Sequence, residues 1–72
     1  MNDLKKLDVD VNYIAGKRFL VIAEVDSDNI YSLERYSYEM GARKRAVNIG
    51  ILKGLDSIVV DTKTGDVVYW KN

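Results

Sequence analysis

The chain opens on an alternation. Leu7, Val9, Val11 and Tyr13 fall on one side, and Asp8, Asp10 and Asn12 on the other, the period-two pattern of a half-buried strand. Ala15-Gly16-Lys17 then reads as a short turn, with glycine available for positive φ. Residues 18–25 are apolar on both faces, with Phe19, Val21, Ala23 and Val25 on one and Leu20 and Ile22 on the other. A strand covered on both sides is a central one, and Val21 is its expected mid-core residue. Residues 7–25 are therefore expected to form a β-hairpin. Residues 1–6 are polar and expected to fray.

Asp26-Ser27-Asp28-Asn29 is a run of turn and cap formers. After it, Ile30, Leu33, Tyr36 or Ser37, and Met40 recur at three and four residues, and Gly41 stands where a helix would stop. The spacing predicts a helix over 28–40. Against it, Tyr31, Ser32, Tyr36, Ser37 and Tyr38 are indifferent helix formers, and tyrosine favours strands. Residues 42–55 fit two periods. Val47 and Ile51 would extend the same helical stripe, with Arg43 falling inside it. Val47, Ile49 and Ile51 also alternate with Asn48 and Gly50. Extended structure over 46–52 is the expectation, and a helix over 42–53 is the alternative. Residues 53–56 form a turn in either version.

The C-terminal pattern is sharper. Ser57–Asp61 and Asp66–Trp70 are two β-branched runs separated by Thr62-Lys63-Thr64-Gly65, the signature of a hairpin. The expected fold class is thus α+β: a small antiparallel sheet of two hairpins, with room for a fifth strand, and one central helix packed on one face.

Composition narrows the chemistry. The 72 residues suit one domain, 1–72, and are 47% hydrophobic and 31% charged, with 11 basic and 11 acidic side chains. There is no cysteine and no histidine. That removes thiolate and imidazole nucleophiles, bases and metal ligands. Asp8-Val9-Asp10-Val11-Asn12 has the opening oxygen spacing of a calcium loop, but Tyr13 and Phe19 occupy the places of its glycine and its bidentate glutamate. Gly50 and Gly54 fit no phosphate-loop spacing. No catalytic residue, cofactor or metal is expected, and the chain is read as a non-enzymatic protein. No apolar run reaches the ~20 residues of a membrane span, so the expected setting is cytoplasmic, away from membranes.

Two surfaces remain as candidates. Tyr36, Tyr38, Tyr69 and Trp70 are the residue types that dominate protein interfaces. Tyr69 and Trp70 are neighbours and must point to opposite faces of a strand. Arg35, Arg43, Lys44 and Arg45 lie in a segment, 29–55, that carries net +3 while the whole chain is neutral, and with the tyrosines they could contact phosphates and bases. A nucleic-acid binder is usually basic over its whole domain, whereas this chain has a pI near 6.1. The expected function is binding of a partner protein by an inhibitor or immunity-type protein from a phage or other mobile element. Homodimerisation through Trp70 is an expected accompaniment, and nucleic-acid binding through the basic run is the alternative.

Asn48-Ile49-Gly50, Asp56–Asp61 and Thr64–Trp70 together resemble the end of SUKH domains, a superfamily that includes many bacterial toxin-immunity proteins. SUKH domains are considerably longer than this chain. The resemblance implies an immunity-type role and carries over no site residue.

Overall fold

A computed structural model describes residues 11–26 and 29–71. Four strands and one helix follow one another: β1 (Phe19–Asp26), β2 (Asn29–Tyr36), α1 (Glu39–Lys53), β3 (Asp56–Asp61) and β4 (Asp66–Lys71). The strands form one antiparallel sheet in the order β2-β1-β3-β4. The helix lies on one face, over the central strands β1 and β3. This is the α+β architecture of a helix on an antiparallel sheet.

The doubly apolar run 18–25 is indeed central. β1 pairs with β2 on one side and β3 on the other, and Val21 is fully buried. Its expected hairpin partner is corrected. Residues 7–10 lie outside the described residues, and Val11–Arg18 forms no strand. Instead, the Lys17 N–H donates to the Ile14 carbonyl at 2.9 Å, closing a turn with Gly16 at φ 80°, which glycine alone adopts without strain. The first hairpin is β1–β2.

The helix expected over 28–40 is also corrected. Most of that segment is β2, and the helix begins at Glu39. Tyr31, Ser32 and Tyr36, which weigh against a helix, are strand residues, while Ser37 and Tyr38 form the bend between β2 and α1. The apolar spacing misled because β2 is an edge strand. Its exposure relaxes the strict alternation that a strand shows when one of its faces is sealed. The expected extended segment 46–52 is helix instead, close to the alternative over 42–53. Gly41 is the third helical residue and not a stop. The stop is Gly54, left-handed at φ 67°, whose N–H donates to the Gly50 carbonyl at 3.1 Å.

The inward line of α1 is Ala42, Ala46 and Ile49, all buried, at the spacing of one helix face. With Phe19, Val21, Ala23 and Val59 they form the helix-side core, flanked by Tyr36, Leu55, Val68 and Tyr69. The two alanines let the helix come close to the sheet. There the buried Ser57 hydroxyl of β3 donates to the Ala46 carbonyl at 2.9 Å. The other face of the sheet has its own buried cluster, Leu20, Ile22, Ile58 and Val60, against which Val11 packs.

The second hairpin forms where the pattern placed it. Its four-residue loop returns through Gly65, at φ 83°, whose N–H donates to the Asp61 carbonyl at 2.7 Å. Asp61 is the fastener. Its carboxylate accepts from Arg18 Nε at 2.7 Å and Nη2 at 2.6 Å, and from the Lys63 N–H at 3.0 Å. The Thr62 hydroxyl and N–H both donate to the Arg18 carbonyl. Two-point pairing with Arg18 holds the Asp61 carboxyl down at about 2.

Candidate functional site

The inward line of α1 holds two alanines and Ile49, and several of its larger apolar residues stand on the outside. At 100° per residue, Met40, Lys44, Val47 and Ile51 fall at i, i+4, i+7 and i+11 along one line. Met40 is 81% exposed, Ile51 73% and the neighbouring Leu52 74%, with Val47 partly exposed as well. Tyr38, which precedes the first helical residue, is also exposed. An ordinary surface helix keeps its large apolar residues toward the core and its polar ones outward. Here the inward line is apolar as expected, but Met40, Val47 and Ile51 stand on the outer face as well.

Of the helix's cations only Lys44 lies on this line, and Lys53 continues the inward line of Ala42, Ala46 and Ile49. The helix carries Arg43, Lys44, Arg45 and Lys53 against a single acid, Glu39, for net +3. Arg43 pairs with Glu39 at 3.3 Å, one turn away, and its guanidinium lies 5.8 Å from the centre of the Tyr69 ring. It therefore marks the flank of α1 that looks toward β4. Arg45 marks the opposite flank. Its Nε and Nη2 donate to the two carboxylate oxygens of Glu34 on β2, at 3.0 and 3.1 Å. Tyr36 donates its hydroxyl to the same carboxylate at 2.6 Å. These bonds favour the ionised form of Glu34, so its carboxyl is lowered, first through Arg45 and then through Tyr36. The Tyr36 phenol is raised, by burial first and the Glu34 bond second. The Glu34–Tyr36–Arg45 cluster ties the helix to the sheet edge.

The sequence-level aromatic candidates are not brought together. Tyr36 is half-buried on β2 beneath the start of α1, and Tyr69 is half-buried on β4, at the far edge of the same face. Trp70 is 52% exposed on the opposite face, so the two neighbours do point opposite ways. Tyr38 stands alone at the helix start. The basic candidates are also dispersed. Arg35 pairs in register with Leu20, on the face away from the helix, where Nη1 donates to the Asn12 carbonyl at 3.0 Å. Arg43 and Arg45 occupy the two flanks of α1, and Lys44 its outer line.

The sequence reading missed the exposed strip. The expected helix ends at Met40 and the expected extended segment takes Val47 and Ile51, so the three do not fall together on one helix face. The available signal was the competing line of Ala42, Ala46 and Ile49, whose alanines carry little weight in a hydropathy pattern.

Across the helix-free face, Leu33, Ile22, Ile58 and Trp70 line up over the four strands. The two central members are buried, while the rim members Leu33 and Trp70 are about half exposed. That face is a second core with an apolar rim. Among the described residues, no group of three or more acidic side chains is placed to hold a metal ion, and no helix is long and apolar enough to cross a membrane.

No family model, no curated protein and no solved structure matches the chain. The resemblance to SUKH domains thus has no matching family model behind it.

Proposed function

We propose that this protein is a non-enzymatic protein-binding module that docks through the outer face of α1. The observation that supports this reading is the helix with apolar residues on both sides: Ala42, Ala46 and Ile49 toward the sheet, and Met40, Val47, Ile51 and Leu52 toward solvent. Exposed apolar side chains scattered singly are ordinary, but a contiguous line of them marks an interaction surface. The strip sits on a helix fixed at both ends, by the Tyr36–Glu34–Arg45 cluster near its start and the left-handed Gly54 at its end. It is therefore preformed, which lowers the ordering cost of binding.

The nucleic-acid alternative draws less support. Arg35 lies on the other face of the sheet, and Arg43 and Arg45 take part in ion pairs within the chain. A phosphate-tracking groove needs its cations on one surface.

The test is affinity capture from native cells with three forms of the full chain: wild type, Val47→Ser with Ile51→Ser, and Trp70→Ser. All three are expected to melt alike, because the altered residues are exposed. A partner protein kept by wild type and Trp70→Ser but lost from the double variant is the expected result. Equal recovery by all three overturns the reading. Recovery of nucleic acid in place of protein moves the assignment to the alternative.

A further inference from the structure

We infer that the outer edge of β4 pairs with β4 of a second copy of this chain, antiparallel about a two-fold axis between Val68 and Tyr69, so that two four-stranded sheets join into one. This surface is separate from the outer face of α1, and the inference goes beyond the docking reading above.

The irregularity in β4 carries the inference. Among the described residues, no strand pairs with the outer side of β4. Its register with β3 slips once: Tyr69 stands opposite Val59 and Val67 opposite Val60, which leaves Val68 as an extra residue. Residues directly opposite one another share a face of the sheet. Val67 and Trp70 therefore both lie on the helix-free face, with Val60 and Ile58. Val68 and Tyr69 both pack against the helix-side core. Asp66 stands opposite Asp61, which is itself opposite Phe19 of that core. Position 71 stands opposite Ser57, which bonds to the helix. From 66 to 71 the faces thus run helix side, free side, helix side, helix side, free side, helix side. That order is the same from either end.

A strictly alternating strand of even length has no such symmetry, because its two ends face opposite ways. In two antiparallel copies of β4, Asp66 falls opposite Lys71 of the second copy, Val67 opposite Trp70, and Val68 opposite Tyr69. Every opposed pair shares a face. A shift of one residue sets Val67 against Tyr69 or Val68 against Trp70, and a shift of two sets Val67 against Val68 or Tyr69 against Trp70. Each of those pairs straddles the sheet. A bulge ordinarily turns an edge away from pairing. Here it lies on the axis and makes the edge match itself.

Chemistry agrees with this register. An acid meets a base at each end, with apolar residues between. Val67 is 38% exposed and Trp70 52%, and pairing joins the row Ile58–Trp70 of one copy to Val67–Val60 of the other. The helices clear each other. Each lies over β1 and β3, so they stand four strand spacings apart, about 19 Å. That exceeds a helix diameter of about 10–12 Å and the screening length of about 8 Å at physiological salt.

The experiment is sedimentation equilibrium of the full chain across the micromolar range, with circular dichroism to confirm folding of each variant. A reversible monomer–dimer equilibrium is expected. Val67→Lys should raise its dissociation constant about tenfold or more, the scale of losing an interface anchor, and Ile51→Ser should leave it unchanged. Asp66→Lys and Lys71→Asp should each raise it several-fold, because each sets like charges opposite one another at both ends. The double variant, and an equimolar mixture of the two single ones, should regain it. This exchange decides the matter even where Val67→Lys fails to fold.

A monomer at every concentration overturns the inference. So does a dimer that Ile51→Ser dissociates, which would place the contact on α1. A dimer indifferent to Val67→Lys, or one weakened by the charge reversals and not regained by their combination, overturns it as well.

Discussion

On the helix side of the sheet, Val21 and Val59 are covered by the alanine line of α1. On the other side, Leu20, Ile22, Ile58 and Val60 are buried with no helix of the described residues above them, and Val11 of an irregular segment packs against them. The first face mixes alanines with Phe19 and Ile49 under a helix, cross-linked by Ser57 to the Ala46 carbonyl and by Arg45 to Glu34. The second uses larger aliphatics, with half-exposed Leu33 and Trp70 at its rims. The helix gives Ala42, Ala46 and Ile49 to the sheet and leaves Met40, Val47, Ile51 and Leu52 outside. The exposed apolar strip thus accompanies the way the helix-side core is packed.

The largest expected effect tests the helix-free face. Ile58 is fully buried there, so Ile58→Ala should cost about 2–5 kcal/mol in denaturant melts. A loss below about 1 kcal/mol, the scale of changes at exposed sites, would mean that this face is open to water and that the two faces are not both cores. The helix side fails in the opposite sense. Ala46→Leu adds volume where the helix meets β3, and overpacking should cost about 1–3 kcal/mol. An unchanged midpoint would show a gap under the helix.

Acid should act next, through the fastener of the second hairpin. Asp61 titrates at about 2 in the fold against about 3.9 in an unfolded chain. Its pairing with Arg18 is therefore fully stabilising above the unfolded value and is lost as pH falls through about 2. Unfolding followed from pH 5 to pH 2 should show stability declining over that window. Asp61→Asn should be less stable at neutral pH and flatter in acid. A parallel decline in both proteins would place the acid sensitivity elsewhere.

The smallest effect has the opposite sign. Gly41 lies inside α1 without positive φ, and a Cβ there would meet the Tyr36 ring at 3.8 Å, an ordinary contact. Gly41→Ala should therefore stabilise by about 0.5–1 kcal/mol through helix propensity. If Gly41 were instead the left-handed stop that its place after Met40 suggests, the same change would destabilise.

The sequence by itself determined the class, the central strand and the C-terminal hairpin. Each rests on a local pattern with one solution: β1 is apolar on both faces, and β3 and β4 are β-branched runs joined by a glycine-ended loop. The turn at 53–56 was legible for the same reason, since Gly54 ends either version of the segment before it. The candidate site was legible only in part. Tyr38 and Trp70 are exposed, but the strip on α1 runs across the helix expected to end at residue 40 and the extended segment expected over 46–52. Between residues 28 and 55 two periods compete, and composition does not choose between them. Tertiary structure decided that contest. The doubly apolar β1 needs a pairing strand on each side, and residues 29–36 supply one of them. The sheet then needs an apolar cover, and Ala42, Ala46 and Ile49 supply it along one line of α1. Side-chain hydrophobicity is a property of the residue, but which face of a helix is inside depends on the volume its neighbours leave, and that volume exists only once the sheet has formed.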